Sequence, residues 1–169
     1  MLTKNQDRPI ILWLLSGCFI VYLMVVVGAI TRLTHSGLSI TDWRMMEMLP
    51  PMSEESWQDH FDGYKQSPEY MQVNLGMTLK EFKNIFWWEW IHRFIGRVVL
   101  GGTFFAGFVW FLIRKKFNKR TLTQAIFLCG LGAAQGLIGW WMVRSGLQKD
   151  PAVSHYRLAI HLMSAFTVF

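Results

Sequence analysis

Cysteine is scarce in this sequence, and the scarcity limits its redox chemistry. Among 169 residues there are two cysteines, Cys18 and Cys129, and both fall in the middle of long apolar stretches. Segment 32–88, the longest polar part of the chain, contains none, which excludes a disulfide staple or thiol exchange there. We interpret the two cysteines as small packing residues.

Charged residues are also missing from long stretches. Residues 9–31 and 121–143 carry no charged side chain, and each run is long enough to cross the roughly 30 Å hydrocarbon core of a bilayer. Residues 98–113 form a shorter uncharged run, so we expect this span to begin near Glu89 and to take residues 89–97 into the interfacial layer. A last apolar helix starts near Arg157.

These runs predict an all-α membrane protein with a single domain over residues 1–169. The expected fold is a four-helix transmembrane bundle with a partly helical outer loop at 32–88, and the predicted spans are 10–30, 89–113, 121–142 and 157–169. The last span is truncated, because it falls short of the roughly 20 residues that a crossing needs. We therefore expect the chain to be the front part of a longer protein.

The net charge of +6 does not indicate nucleic-acid binding, because the basic residues stand at helix ends rather than among aromatic residues on a polar face. Lys4 and Arg8 precede the first span, and the link 114–120 holds five Lys or Arg and no acid. The positive-inside rule then predicts a cytoplasmic N-terminus and an outer segment 32–88. A bacterial cell (inner) membrane is favoured over the mitochondrial inner membrane, since the N-terminus has no Arg-rich, Ser-rich transit pattern.

The outer segment contains two signals for helix starts. Ser53 followed by two acids predicts a helix N-terminus, and Thr78 with Glu81 predicts a capping box for a second helix. The first helix has an aromatic stripe at 57, 61 and 64, which we expect to pack. In the third span, Gly132 and Gly136 have GxxxG spacing and predict close helix packing, and Gln135 is expected to bond to another helix.

The stretch 87–97 (WWEWIHRFIGR) combines ionisable residues with the mouth of an apolar helix. Spacings of three and four residues put Glu89, His92, Arg93 and Arg97 on one broad face. An ionisable group at membrane depth is by default a functional-site hypothesis. The structural alternative is that Glu89 and Arg93 simply form an ion pair.

A second histidine occupies a similar position, because Arg157 and His161 begin the fourth span. Both helices run inward, so His92 and His161 should lie at equal depth. They are either hydrogen-bonded packing residues or ligands. Zinc would need three or four ligands, and Glu89 is the one obvious addition. Haem needs two axial nitrogens, an apolar slot and cations for its propionates, and the cations available are Arg32, Arg93, Arg97, Arg144 and Arg157.

The sequence resembles heme A synthase in blocks that occur in the family's order: GAITRLTHSGLSITDW, an acidic outer segment through PEY, FKNIFWWEWIHR, QGLIGWWMVRSGL and VSHYRLAIHL. The resemblance runs from Gly28 to the C-terminus. It implies a membrane oxidoreductase that converts heme O to heme A by two successive hydroxylations of a methyl group to a formyl group. The resemblance implies that Glu89 corresponds to the family's catalytic glutamate and His92 to the histidine three residues after it. It also implies that His161 corresponds to the histidine that enters the fourth helix.

The family also implies parts that this chain lacks. Some members have a cysteine pair in the first outer loop, and this chain instead resembles the cysteine-free, long-loop branch of proteobacteria and mitochondria. Members have eight spans in two pseudo-repeated halves, with haem b in the second half. This chain matches the first half, where heme O as substrate is expected. The implied partners are heme O, lipid, heme O synthase and a membrane electron donor. The resemblance leaves open whether the protein forms a homo-oligomer.

The alternative function is a non-catalytic bis-histidine haem-binding module, such as a b-type cytochrome or a haem chaperone. Glu89 discriminates between the two, because an oxidase can use a carboxylate beside its substrate to accept a proton, whereas an electron carrier has little need for one. A small proton or cation conduit would use Glu89 and Gln135 but leaves the arginines unexplained.

Overall fold

The computed structural model describes residues 8–41 and 49–168. Within these two ranges the regular structure is helical and includes no strand, which confirms the predicted all-α class. The helices are α1 (Arg8–Leu33), α2 (Glu54–Lys65), α3 (Pro68–Gln72), α4 (Leu79–Phe94), α5 (Thr103–Ile113), α6 (Lys119–Gly146) and α7 (His155–Val168), with a π-helical segment (Ile95–Gly102) between α4 and α5.

Three of the described helices are long and apolar enough to cross a membrane, namely Arg8–Leu33, Leu79–Ile113 and Lys119–Gly146. They contain the first three predicted spans, and they confirm that the chain is a membrane protein. Helix α7 has 14 residues, so the fourth span stays a prediction, and its last residue, Phe169, lies outside the described residues. Lys4, used in the orientation argument, lies outside them as well.

The second membrane helix begins at Leu79 rather than near Glu89. Its start is the predicted capping box, which is confirmed: the Thr78 amide donates to Glu81 Oε2 at 2.8 Å, and the Glu81 amide donates to Thr78 Oγ1 at 3.4 Å. Helix α4 then runs without a break through the π-helical segment into α5. Residues 79–88, which the sequence assigns to the outer loop, are therefore a direct extension of the membrane helix.

The membrane helices pack as two hairpins. Helix α1 lies along α4, the π-helical segment and α5, while α6 lies along α7, and α5 contacts α6. In the first hairpin Trp13 stacks on Phe104 with ring centroids 4.3 Å apart. A Cβ atom on Gly107 would lie 2.3 Å from Trp13 Nε1, so only glycine lets the indole approach α5 this closely.

The second hairpin is joined by a polar contact. Gln135 Nε2 on α6 donates to Ser164 Oγ on α7 at 2.7 Å, which confirms the expected interhelical bond. The close packing expected at Gly132 and Gly136 is wrong for the described part of the chain, because a Cβ atom at either position would have no neighbour within 4 Å. The GxxxG face of α6 is thus uncovered by the residues that the structure describes.

Helices α2, α3 and the first turns of α4 form a cap over the Glu89 end of the first hairpin, which we name the outer cap after the side of the membrane that the sequence predicts for it. Helix α2 begins at Ser53, whose Oγ accepts from the Ser56 amide at 3.1 Å, as predicted. The aromatic stripe of α2 packs against α4, as expected, and forms a buried core with it. The members of this core are Trp57, Phe61, Tyr64, Phe82 and Phe86.

Candidate functional site

Glu89 lies on α4 with 3% of its surface exposed. Its Oε2 atom accepts from Ser39 Oγ at 2.7 Å and from the Ile40 amide at 2.8 Å, and its Oε1 atom lies 2.5 Å from a guanidinium nitrogen of Arg93. Ser39 and Ile40 belong to the exit loop, which we define as residues 34–41 after α1. Three donors from two separate segments therefore fix the carboxylate.

Arg93 completes this arrangement from the next turn of α4. Besides Glu89, it contacts the exit loop, since its guanidinium donates to the Ile40 carbonyl at 3.1 Å. The Glu89–Arg93 ion pair that the sequence offers as the structural alternative is therefore present. Removing one partner of such a buried pair leaves an uncompensated charge and is strongly destabilising, so the pair contributes to the local fold whatever else Glu89 does.

The two predicted ligand histidines each fill a space beside a glycine of a neighbouring helix. A Cβ atom on Gly28 of α1 would lie 3.2 Å from His92 Nε2, and one on Gly139 of α6 would lie 3.1 Å from His161 Cε1. The imidazoles are close enough to interact electrostatically. Within the described residues, the buried Nδ1 atom of His161 has no hydrogen-bond partner. His155, by contrast, is exposed at the first position of α7.

The five predicted propionate arginines have different surroundings. Arg32 is exposed at the end of α1, and Arg97 is half-buried in the π-helical segment, close enough to Arg93 and Glu89 to interact with both. The charge of Arg93 is already compensated by Glu89. Of Arg32 and Arg93, the exposed Arg32 is therefore better suited to attract a further anion.

The remaining two arginines stack on tryptophans near the end of α6. The Arg144 guanidinium lies 5.3 Å from the centre of the Trp140 ring. The Arg157 guanidinium lies 4.5 Å from the Trp141 ring and donates to the Trp141 carbonyl at 2.8 Å. Arg157 thus ties the start of α7 to the end of α6, and both cations lie at the same end of the second hairpin.

Sequence reasoning missed the partners of this constellation. Ser39 and the Ile40 amide hold Glu89 from about 50 positions away in the chain, and Gly28 makes room for His92. The block SGLSI that contains Ser39 carries part of the family resemblance, which is the one signal that could have pointed to it. Nothing in the local pattern indicates which residue its hydroxyl contacts.

The sequence also gave no indication of a second buried carboxyl, Glu69, in the outer cap. Glu69 is 5% exposed and accepts from the Tyr64 hydroxyl at 3.0 Å, while Asn74 donates to the Tyr64 oxygen at 2.7 Å. Burial raises the pKa of Glu69 to about 7; the hydrogen bond from Tyr64 lowers it, and the charge of Glu89 raises it further. Burial also raises the pKa of Tyr64, so its hydroxyl stays a donor.

The comparison with known families is decisive for this chain. The sequence model of the COX15-CtaA family, described as cytochrome oxidase assembly protein, matches residues 11–169. The chain belongs to the COX15-CtaA family. No solved structure matches it.

Three curated relatives, each named heme A synthase, align with nearly all of this COX15-CtaA chain. Identity is 51% over 168 residues for Flavobacterium psychrophilum, 50% over 169 for Flavobacterium johnsoniae and 52% over 168 for Parvibaculum lavamentivorans. The alignments cover 98%, 98% and 99% of this chain and 49%, 49% and 48% of the relatives. The predicted resemblance to heme A synthase is confirmed, and the chain spans about half the length of the curated relatives it matches.

The side chains of this COX15-CtaA chain fit a haem group. Imidazoles are common axial donors of haem iron, and the glycines beside His92 and His161 let both rings pack closely against α1 and α6. The unpartnered Nδ1 atom of His161 leaves that ring without a competing hydrogen bond in the described chain. No group of three or more His, Cys, Asp or Glu suited to a bare metal ion occurs among the described residues.

Proposed function

We propose that this chain forms the substrate-haem half of a heme A synthase, a membrane oxidoreductase that converts heme O to heme A for cytochrome oxidase assembly. The reaction is the oxidation of one porphyrin methyl group to a formyl group by two successive hydroxylations. The observation that carries the proposal is the pair of histidines on two hairpins, within electrostatic range of each other, with the buried Glu89 one turn from His92.

In this proposal His92 and His161 bind the iron of heme O as axial ligands. Arg32, Arg97, Arg144 and Arg157 attract the propionates at the outer end, and Arg93 contributes through its pair with Glu89. Bound iron supplies the redox chemistry of the haem group. Glu89 acts as the catalytic base that accepts a proton released at the methyl carbon, and Arg93, Ser39 and the Ile40 amide keep its carboxylate in place.

The proposal extends to the setting of the enzyme. The chain lies in a bacterial inner membrane with its N-terminus in the cytoplasm and the outer cap on the opposite side. Heme O synthase would supply the substrate, and the other half would hold a haem b that could exchange electrons between the substrate site and a membrane electron donor. The relatives, which are twice as long, have room for that second half.

The histidine assignment is tested by alanine variants in the full-length protein. We expect His92→Ala and His161→Ala each to remove one axial bond and to abolish most haem retention, measured by absorption spectra and by the haem content of the purified protein. His155→Ala is the matched control, because His155 lies six residues before His161 but is exposed. Loss of the low-spin spectrum in His155→Ala with an intact spectrum in His161→Ala would show that the ligands are assigned wrongly.

A non-catalytic haem-binding module is the second candidate function, and one observation favours it. Ser39, the Ile40 amide and Arg93 together hold the Glu89 carboxylate, as expected for a carboxylate with a structural role. The variant Glu89→Gln separates the two functions, because an amide keeps the size of the side chain but cannot take up a proton. We expect retained haem binding and loss of heme A formation, measured by pigment extraction. A near-normal rate of heme A formation would assign Glu89 a structural role.

A further inference from the structure

The exit loop is fixed by contacts on both sides rather than lying loosely on the surface. Its residues Ser36, Leu38 and Ser39 are all buried. The Ser36 amide donates to the Thr31 carbonyl at 2.9 Å, and the Ser36 hydroxyl lies 2.6 Å from Thr34 Oγ1. Leu38 packs so closely on Gly146 that a Cβ atom there would lie 2.7 Å from Leu38 Cδ1. The loop is thus anchored to α1 and to the end of α6.

Within this anchored loop, the Ser39 hydroxyl has two acceptors and one hydrogen. Its Oγ lies 2.7 Å from Glu89 Oε2 and 3.1 Å from the Ser36 carbonyl. A hydroxyl can donate one hydrogen bond and accept two, and its hydrogen rotates to suit its neighbours. An ionised carboxylate can only accept, so the hydrogen points to Glu89 in that state, which leaves the Ser36 carbonyl as the alternative acceptor.

These contacts supply Glu89 with a partner in either protonation state. When Glu89 is ionised, Ser39 donates to Oε2. When a proton is added to Oε2, the Ser39 hydrogen turns to the Ser36 carbonyl and the Ser39 oxygen accepts the new O–H of Glu89. One proton is gained by the carboxyl and no other bond to hydrogen is broken. The Ile40 amide can still donate to the remaining lone pair of Oε2, and Arg93 still contacts Oε1.

We propose that Ser39 is a positioning residue that keeps Glu89 hydrogen-bonded and correctly aimed before and after it accepts a proton. This inference rests on the proposed function, in which Glu89 accepts that proton during the oxidation of heme O. The Ile40 amide cannot take over this role, because a backbone N–H donates but never accepts. Ser39 is therefore the contact of Glu89 that can follow the proton.

The test uses the full-length protein with Ser39→Ala and Ser39→Cys, the second of which keeps a side chain of similar size but offers only a weak donor. We expect kcat for heme A formation to fall roughly tenfold, the loss of one hydrogen bond to a charged group, with KM and the haem spectrum unchanged. Ser36→Ala is the matched control, because it removes another buried hydroxyl of the same loop that contacts Thr34 rather than Glu89. It should leave kcat within about twofold.

A second readout does not depend on activity. Infrared bands that disappear in Glu89→Gln report the ionised and the protonated form of the Glu89 carboxyl, and Ser39→Ala should shift both. Unshifted bands, or an equal fall of kcat in Ser36→Ala, would overturn the inference. If the wild-type protein forms no heme A while both bands still shift, the proposed function fails and the role of Ser39 toward Glu89 remains.

Discussion

Within the outer cap, Glu69 is a residue whose protonation the fold changes near neutral pH. An exposed glutamate titrates near 4.5, whereas burial raises the pKa of Glu69 to about 7. Between these two values the folded protein holds a proton that the unfolded chain releases. The stabilisation from this group is therefore complete below about pH 4.5 and is lost as the pH rises through about 7.

The variant Glu69→Gln should remove this pH dependence, because an amide resembles the protonated carboxyl. At pH 8 we expect the variant to be more stable than the wild-type protein by on the order of 2 kcal/mol, and at pH 4 to be equal to it, measured by thermal unfolding in detergent. Glu55→Gln, an exposed change in the same cap, is the control and should leave stability unchanged at both pH values. An identical pH slope in Glu69→Gln and wild type would contradict the prediction.

At the scale of helices and loops, the parts that follow from the sequence are those with local causes. The Thr78–Glu81 capping box, the Ser53 N-cap, the aromatic stripe of α2 and the charge-free runs each depend on residues close together in the chain, so their positions follow from the sequence. The exit loop could not be predicted, because Ser39 and Ile40 act on Glu89 about 50 positions away. For the same reason, the GxxxG pattern did not predict which residues lie against α6, because those contacts are set by tertiary packing.

The histidine-bearing helices give a prediction about glycine. A Cβ atom at Gly28 or Gly139 would press on His92 or His161 at 3.2 and 3.1 Å, so Gly28→Ala and Gly139→Ala should displace an imidazole. We expect about tenfold weaker haem binding, measured by titration, from a strain of about 1–2 kcal/mol. Gly136→Ala is the control, because its Cβ atom meets nothing within 4 Å. Equal binding by Gly139→Ala and Gly136→Ala would argue against His161 as a ligand.

At the scale of the whole molecule, the chain covers about half of its relatives. We expect residues 1–169, expressed alone and supplied with heme O and a reductant, to bind haem but not to form heme A, because the electron-transfer haem belongs to the other half in the proposed function. Absorption spectra and pigment extraction measure the two outcomes, and the full-length protein is the positive control. Sustained heme A production by residues 1–169 would show that one half is sufficient, for instance as a homodimer.

The π-helical segment has a consequence for the geometry of the first hairpin. His92 before the segment and Gly96 within it face α1, and Phe104 and Gly107 face it afterwards. Gly96 and Phe104 are eight residues apart, whereas two ideal α-helical turns take about seven, and the wider π turns absorb the additional residue. The segment thus sets how far the helix rotates between its two ends. One end carries Glu89 and His92, and the other packs on Trp13. Because of this rotation, both ends meet the same side of α1.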